Sequence, residues 1–308
     1  MELIRGLHNI RPRHLGCVAT IGAFDGVHLG HQAVIKQLVE QAQLMHLPAV
    51  LITLEPLPRE YFAPVKAPPR LMSFREKAIA LSTTGIDRLL RIRFNRELSE
   101  VSAEDFIDKI FHQQLGLKHM IVGDDLRFGH ERRGDFALLR RMGKELGFGV
   151  TATETCSLNH ERVSSTRIRK ALQQADFTLA AKLLGKPYAI SGKVVFGEQL
   201  GRTLVAPTAN LNLHRISTAL KGVYAVEVIY QNRCYPGVAN VGTRPTIKAG
   251  LKANLEVHLL DFNGDLYGQH LSVVFKKKLR DEKKFPSLLA LKNAIQHDIA
   301  QAKEFFKS

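Results

Sequence analysis

The strongest constraint on the fold of this 308-residue chain is a change of rhythm at Gly185-Lys186-Pro187. Before it, short apolar runs suited to strands buried on both faces alternate with helical stretches. Cys17–Ile21 and Ala49–Leu54 are such runs. Between them, Val34, Ile35, Leu38 and Val39 recur at three- and four-residue spacing within 29–44, as on one helix face. Helices are expected near Phe74–Ser82, Ala103–Leu115 and Asp135–Gly147, and strands near Arg88–Ile92, His119–Val122 and Gly149–Thr153. This order predicts an α/β unit with a mostly parallel sheet and helices on both faces. Two short helices, near Thr166–Gln173 and Phe177–Leu184, close it.

Beyond Gly185 the chain reads as short strands and turns: Tyr188–Phe196, Thr203–Leu204, Gly222–Tyr230, Arg233–Asn240, Leu255–Leu260 and Ser272–Phe275. Asn263-Gly264-Asp265 carries the signature of a hairpin turn. The spacing predicts a small antiparallel β-barrel, closed by a helix over Ser287–Phe306. The expected domains are therefore 1–184 and 185–308.

Net charge is +15, and both halves contribute. Residues 1–184 hold 26 Lys/Arg against 20 Asp/Glu, and residues 185–308 hold 18 against 9. Such an excess suits anionic partners, whether nucleic acid, anionic lipid or phosphorylated small molecules. The densest basic cluster, Lys276–Lys278 with Arg280, Lys283 and Lys284, reads as a solvated edge strand and turn. No apolar run is long enough for a membrane-spanning helix, and Met1–Ile10 lacks the apolar stretch of a signal peptide. Cys17, Cys156 and Cys234 are too sparse for a disulfide framework or a metal pair. They read as buried or semi-buried thiols of a cytoplasmic protein.

Chemistry concentrates first at Gly22-Ala23-Phe24-Asp25-Gly26-Val27-His28-Leu29-Gly30-His31, where a strand passes into a helix. In open α/β sheets, ligands bind outside the carboxyl ends of the strands. Gly22 and Gly26 permit a tight turn, and the helix start offers N–H groups to phosphate. His28 and His31, three apart, project from one face of the first turn and can donate to phosphate oxygens. The loop lacks the Lys-Ser/Thr of a Walker A sequence, and no third ligand suggests zinc. Ser164-Ser165-Thr166-Arg167-Ile168-Arg169 opens another helix, with a serine positioned to cap it.

Together the two segments resemble the HxGH and SSTxIR signatures of the nucleotidylyltransferase superfamily. Val122–Gly129 and Thr53–Glu60 resemble the VGxDFxFG and TFxPHPxE segments of bacterial FAD synthetases. Leu54, Leu57 and Leu126 stand where that family has Phe, His and Phe. The resemblance implies a Rossmann-like adenylyltransferase domain. Gly22, Phe24, Asp25, Gly26, Ser164, Ser165, Thr166 and Arg169 would take the nucleotide phosphates, with His28 and His31 catalytic. Pro56, Pro58, Asp125 and Phe128 would lie on the flavin side.

In the second half, Gly192–Arg202 spaces Gly192, Gly197 and Gly201 through a strand and turn, where glycines mark bulges or close backbone approach. Pro207-Thr208-Ala209-Asn210 follows, and on its own would be an ordinary turn. Thr208 and Asn210 carry hard oxygens that suit Mg²⁺. The stretch is similar to bacterial riboflavin kinases, whose pattern runs GxVxxGxxxGRxLGxPTANL. The similarity continues through Gly222–Val226, Gly237–Thr246, Leu255–His258 and Lys278–Glu282. It implies nucleotide binding by Gly192, Gly197, Gly201 and Arg202, a metal site at Thr208 and Asn210, a flavin contact at Arg280, and Glu256 as catalytic base. A carboxylate there can accept the proton of a primary alcohol attacking the ATP γ-phosphate. Val205-Ala206 departs from the pattern.

The whole chain thus resembles the prokaryotic bifunctional riboflavin kinase/FAD synthetases. The expected reactions convert riboflavin and ATP to FMN, then FMN and ATP to FAD and pyrophosphate, with Mg²⁺. The expected partners are small molecules, with no nucleic acid and no membrane. Two alternatives stay open: a monofunctional member with one silent half, and a basic nucleic-acid-binding protein, against which stands the lack of any RRM, KH or zinc-finger signature.

Overall fold

A computed structural model describes residues 1–307 except 124, 154, 197–207, 214, 216 and 247–249, with backbone pairing alone over 243–252. The chain forms two compact units. The first comprises Met1–Pro68 and Phe74–Ser164, the second Pro69–Ser73 and Ser165–Ser308.

The first unit is built on six parallel strands: β1 (Glu2–Arg5), β2 (Cys17–Ile21), β3 (Ala49–Glu55), β4 (Arg88–Arg93), β5 (Leu117–Val122) and β6 (Gly149–Ala152). Their spatial order is β1-β4-β3-β2-β5-β6. The continuous apolar runs are explained by burial on both sides. Cys17, Ala19, Val50 and Ile52 enter one core with Phe106, Phe111 and Leu139, while the alternate residues Val18, Leu51 and Leu89 are also fully buried. From β2 the chain builds outward through β3 and β4, then crosses back to β5 and β6. The strand order therefore reverses between β2 and β5, and the carboxyl ends of these two strands flank the switch point where α/β sheets bind ligands.

Helices Leu29–Leu44, Phe74–Ser82 and Phe136–Leu146 connect the strands as their periodicity predicts. The stretch expected as a helix over 103–115 departs from α geometry: one turn at Ala103–Asp105 passes into a π-helix at Phe106–Gln114. Its buried residues explain the wider winding. Phe106, Ile110, Phe111 and Leu115 recur four and five apart, and Leu115 N–H reaches back five residues to the Ile110 carbonyl at 3.1 Å. Strand β1 carries no apolar run. It exists because β4 offers a parallel edge, registered from Glu2 on Arg88 to Arg5 on Arg91.

The second unit contains helices Ser165–Gln173 and Phe177–Leu184 and a closed antiparallel barrel. Its strands are β9 (Ala189–Val195), β10 (Ala209–Asn212), β11 (Gly222–Tyr230), β12 (Arg233–Thr246), β13 (Gly250–Leu259) and β14 (His270–Arg280), after a two-stranded hairpin, β7 (Ser157–Leu158) and β8 (Glu161–Arg162), that ends the first unit. The barrel order is β10-β13-β12-β11-β14-β9. β11 and β12 form a tight hairpin, with left-handed Gln231 and Asn232 (φ 47° and 60°) supplying its turn. The helix Leu288–Lys307 buries Ala302 against Ala225 and Leu260.

Two expectations are corrected here. Asn263–Asp265 is not a hairpin turn, because β13 already pairs with β10 and β12, and the chain must cross to β14, which pairs with β11 and β9. Ala209 and Asn210 belong to strand β10 instead of a turn, since Ala209 and Leu211 point into the barrel and the alternation carries Asn210 outward. The basic cluster 276–284 lies where β14 has a single neighbour: β9 pairs only as far as Val274, so 276–280 pair with β11 alone, and 281–284 follow the strand. Among the described residues three of its six charges are paired: Lys276 with Glu227 at 3.0 Å, Lys278 with Asp281 at 2.5 Å, and Arg280 with Asp298 at 2.8 Å. The strand expected at Thr203–Leu204 lies outside the described residues. Cys17 is buried, which pushes its thiol up to about 12, whereas Cys234 is exposed. Among the described residues no helix is long and apolar enough to cross a membrane.

Candidate functional sites

The first site is assembled where β2 ends. The turn to the helix Leu29–Leu44 is held in conformations that side chains rarely adopt, with φ 47° at Phe24, 92° at Gly26 and 42° at Val27. Strain of this kind, about 1–3 kcal/mol per residue, persists where surrounding structure enforces it, and it clusters at ligand sites. Close approach explains Gly30: a Cβ there would meet the His28 ring at 3.2 Å and the Val163 carbonyl at 3.4 Å. His28 caps the helix, its Nδ1 accepting from His31 N–H at 3.3 Å. That bond makes Nε2 the N–H-bearing nitrogen of a neutral His28. The two imidazoles stack at 3.6 Å and 15°, with Phe24 4.9 Å from His31.

His31 Nδ1 is buried and, among the described residues, has no hydrogen-bond partner. Burial holds this imidazole well below its ordinary value near 6.5, with smaller contributions from His28 and Lys77. A buried neutral histidine favours the folded state least in acid, because the unfolded chain binds the proton that the fold excludes. Stability contributed here is therefore present above pH 6.5 and is lost as pH falls below it. Urea unfolding at pH 7.5 and pH 5.0 should show that loss, and His31→Gln should reduce it. An equal acid loss in the variant would contradict the assignment.

Behind the turn lies a feature that periodicity does not reveal. Lys77 is 1% exposed and reaches Glu55 Oε1 at 2.9 Å and Thr53 Oγ1 at 3.3 Å. Glu55 ends β3 and is itself buried. Removing one member of a buried pair strands the other charge, which costs about 3–5 kcal/mol. Lys77→Met is expected to lower the urea midpoint by a corresponding amount. Lys77→Met with Glu55→Gln should recover most of it, and a double variant as unstable as the single one would argue against the pair.

A cleft of about 950 Å³ opens beside the turn, at the carboxyl ends of β2, β3 and β5. Its walls include Gly22, Pro58 and Phe128, and all three departures from the family pattern: Leu54, Leu57 and Leu126. Tyr61, Phe62 and Phe94 form an edge-to-face trio on it, with ring separations of 5.3–5.7 Å. An apolar, aromatic-lined cleft of this size suits a planar polycyclic ligand. Pro56 and Asp125 are not among its described walls, and Asp125 pairs with Arg162 at 2.9 Å. Ser164 ends the first unit, while Ser165, Thr166 and Arg169 belong to a helix of the second, where Arg169 Nε donates to the Pro69 carbonyl at 2.7 Å.

The second site is on the outer face of the barrel. Leu255 and Val257 fill the interior, so Glu256 between them faces out. In the ladder it lies between Asn210 of β10 and Asn240 of β12. Asn254 Nδ2 donates to Glu256 Oε1 at 3.0 Å and orients the carboxylate. Among the described residues Asn210 Oδ1 is buried without a hydrogen-bond partner. An orphaned hard oxygen beside Thr208, which is partly buried, and Glu256 fits a divalent cation such as Mg²⁺. Gly192 is needed for strand packing, since a Cβ would sit 2.9 Å from the Asn212 carbonyl. Gly197, Gly201 and Arg202 lie outside the described residues. Arg280 is committed to buried Asp298 by a bidentate pair, Nε to Oδ1 at 2.9 Å and Nη2 to Oδ2 at 2.8 Å.

A parallel sheet with paired histidines at its switch point, followed by a separate six-stranded barrel, defines a two-site nucleotide-handling enzyme. The family model described as FAD synthetase matches residues 10–167, and that described as riboflavin kinase matches 184–306. A protein from Pseudomonas fluorescens called bifunctional riboflavin kinase/FMN adenylyltransferase is 51% identical over 98% of this chain and 97% of its own. One of the same name from Escherichia coli strain K12 is 49% identical over 99% and 98%. A solved chain described as a macrolide-efflux protein from Streptococcus pneumoniae aligns with TM-score 0.77 and 28% identity over 98% of this chain and 99% of that one. The chain belongs to the bifunctional riboflavin kinase/FMN adenylyltransferase family. It phosphorylates riboflavin to FMN and adenylylates FMN to FAD.

Proposed function

We propose that the two reactions divide between the two sites: FMN adenylylation at the histidine turn and its cleft, riboflavin phosphorylation on the outer face of the barrel. The domain division read from sequence, 1–184 and 185–308, follows this assignment. The observation that carries it is the separate placement of the stacked His28–His31 pair beside an apolar cleft and of Glu256 beside the orphaned Asn210 oxygen.

In adenylylation a phosphate oxygen of FMN attacks the α-phosphorus of ATP, and pyrophosphate leaves. The chain's task is positioning and charge stabilisation. Leu54, Leu57, Pro58, Leu126 and Phe128 take the flavin ring, with Pro56 and Asp125 shaping their loops. His28 and His31 donate to phosphate oxygens as charge develops. Gly22, Phe24, Asp25 and Gly26 bring backbone close to the nucleotide, and Ser164, Ser165, Thr166 and Arg169 take its phosphates. In the barrel, Glu256 accepts the proton of the riboflavin hydroxyl as it attacks the γ-phosphorus. Gly192, Gly197, Gly201 and Arg202 hold ATP. Thr208 and Asn210 hold Mg²⁺, which when bound neutralises phosphate charge. Arg280, already engaged by Asp298, serves the flavin by fixing the segment after β14. A soluble protein of the cytoplasm, acting on small molecules, is the setting we infer.

Chromatography of flavins after incubation with riboflavin, ATP and Mg²⁺ tests the division. Riboflavin should pass through FMN to FAD, and EDTA should stop both steps. Undiminished FMN formation in EDTA would refute the metal assignment.

A further inference from the structure

The second unit includes one short segment detached in sequence from the rest of it. Pro69–Ser73 groups with residues 165–308, while the chain on either side of it belongs to the first unit. Three side chains of the second unit hold the carbonyls of this strap. Arg169 Nε donates to Pro69 O at 2.7 Å. Arg215, 4% exposed, donates through Nη1 to Arg70 O at 3.3 Å and Leu71 O at 3.2 Å. The Tyr188 hydroxyl donates to Leu71 O at 3.4 Å. Leu71 is itself fully buried, which anchors the strap at its centre.

A guanidinium cannot be deprotonated, and one buried with its donors on backbone carbonyls is a geometrically demanding arrangement. Such an arrangement is tolerated where it holds a particular geometry. What it holds is the backbone directly beyond Pro69, whose carbonyl receives Arg169. A guanidinium is planar, so a bond at Nε fixes the plane and direction of its two Nη groups. The carbonyl that Arg169 uses is thus placed by Arg215 and Tyr188, two residues within the stretch matched by the riboflavin kinase family.

We propose that Arg215 and Tyr188 are positioning residues for FMN adenylylation: by clamping the Arg70 and Leu71 carbonyls they set the Pro69 carbonyl, and through it the orientation of Arg169 toward the nucleotide phosphates. This rests on the assignment of Arg169 to those phosphates made above. Its consequence is that side chains in the kinase-matched half govern the other half's reaction.

The test uses the full-length chain with Arg215→Met, Arg215→Lys, Tyr188→Phe and Arg169→Ala. FMN adenylylation and riboflavin phosphorylation are assayed separately, alongside thermal unfolding. Arg215→Met should lower kcat/KM for adenylylation by about 10- to 100-fold, as misplacement of a phosphate-binding group does. The loss should include a raised KM for ATP with KM for FMN unchanged. Riboflavin phosphorylation should keep the parent rate. Arg215→Lys should restore part of the loss, because an ammonium can still reach one carbonyl, and Tyr188→Phe should show a smaller loss of the same kind. If Arg215→Met does not fold, the lysine and phenylalanine variants carry the same expectation. Equal losses in both activities, tracking a lower unfolding midpoint, would overturn the proposal. So would parent-like adenylylation in the Arg215 and Tyr188 variants while Arg169→Ala is inactive. Full FAD formation by Arg169→Ala would instead overturn the phosphate assignment of Arg169 on which the proposal rests.

Discussion

Replacing His28 and His31 together removes FAD formation from FMN and ATP and leaves FMN formation from riboflavin at the parent rate. The two rings stack at 3.6 Å at the sheet's switch point, and His31 presents a buried nitrogen with no hydrogen-bond partner among the described residues. A preorganised donor to developing phosphate charge contributes about 10²–10³-fold in rate, so losing two should take the reaction below ready detection. The substitution must respect a second duty of His28, which caps the helix Leu29–Leu44 through Nδ1. Alanine at a cap costs about 1 kcal/mol, whereas asparagine retains an accepting oxygen there. His28→Asn with His31→Gln is therefore the cleaner variant, and its FMN output reports folding in the same tube. Loss of both activities in a folded variant would sink the two-site division, and retained FAD synthesis would remove the histidines from catalysis.

The complementary expectation concerns Glu256. Glu256→Gln should lower riboflavin phosphorylation by about 10²–10⁴-fold, the usual contribution of a general base. Adenylylation of added FMN should be unchanged. Glutamine keeps the size of the side chain and can still accept from Asn254, whose amide lies 3.0 Å from Oε1. Geometry is thus preserved while basicity is lost. Near-normal FMN production by Glu256→Gln would refute the base assignment.

The excess of basic residues takes a narrower meaning once the charges are placed. Much of the Lys276–Lys284 cluster is spent within the barrel: on Glu227, Asp281 and Asp298, and on the Phe305 ring, which Lys277 Nζ approaches at 5.7 Å. These contacts tie the cluster to β11 and to the C-terminal helix. Around the cleft, Arg96 is likewise engaged by Glu100 at 2.9 Å. ATP, FMN and FAD are all anions, and a broadly positive field suffices to draw them in.

Local chemistry was legible in the sequence to a considerable degree. Apolar runs and helical periodicity located β2, β3 and the helix Leu29–Leu44 because both signals lie within a dozen residues. The motif around His28 and His31, and the alternation that turns Glu256 out of the barrel, needed no distant information either. What only the tertiary structure decided joins residues far apart in sequence. Barrel closure, which sends the chain past Asn263–Asp265 to the opposite side, depends on which strand edges are already paired. Leu54, Leu57 and Leu126 become one wall of a cleft only because β3 and β5 flank β2. Lys77 meets Glu55 across 22 positions and Arg169 meets Pro69 across 100. No periodicity encodes such pairs. They form because a buried charge or carbonyl must find a partner, and which partner is near is settled by the packing of the whole unit.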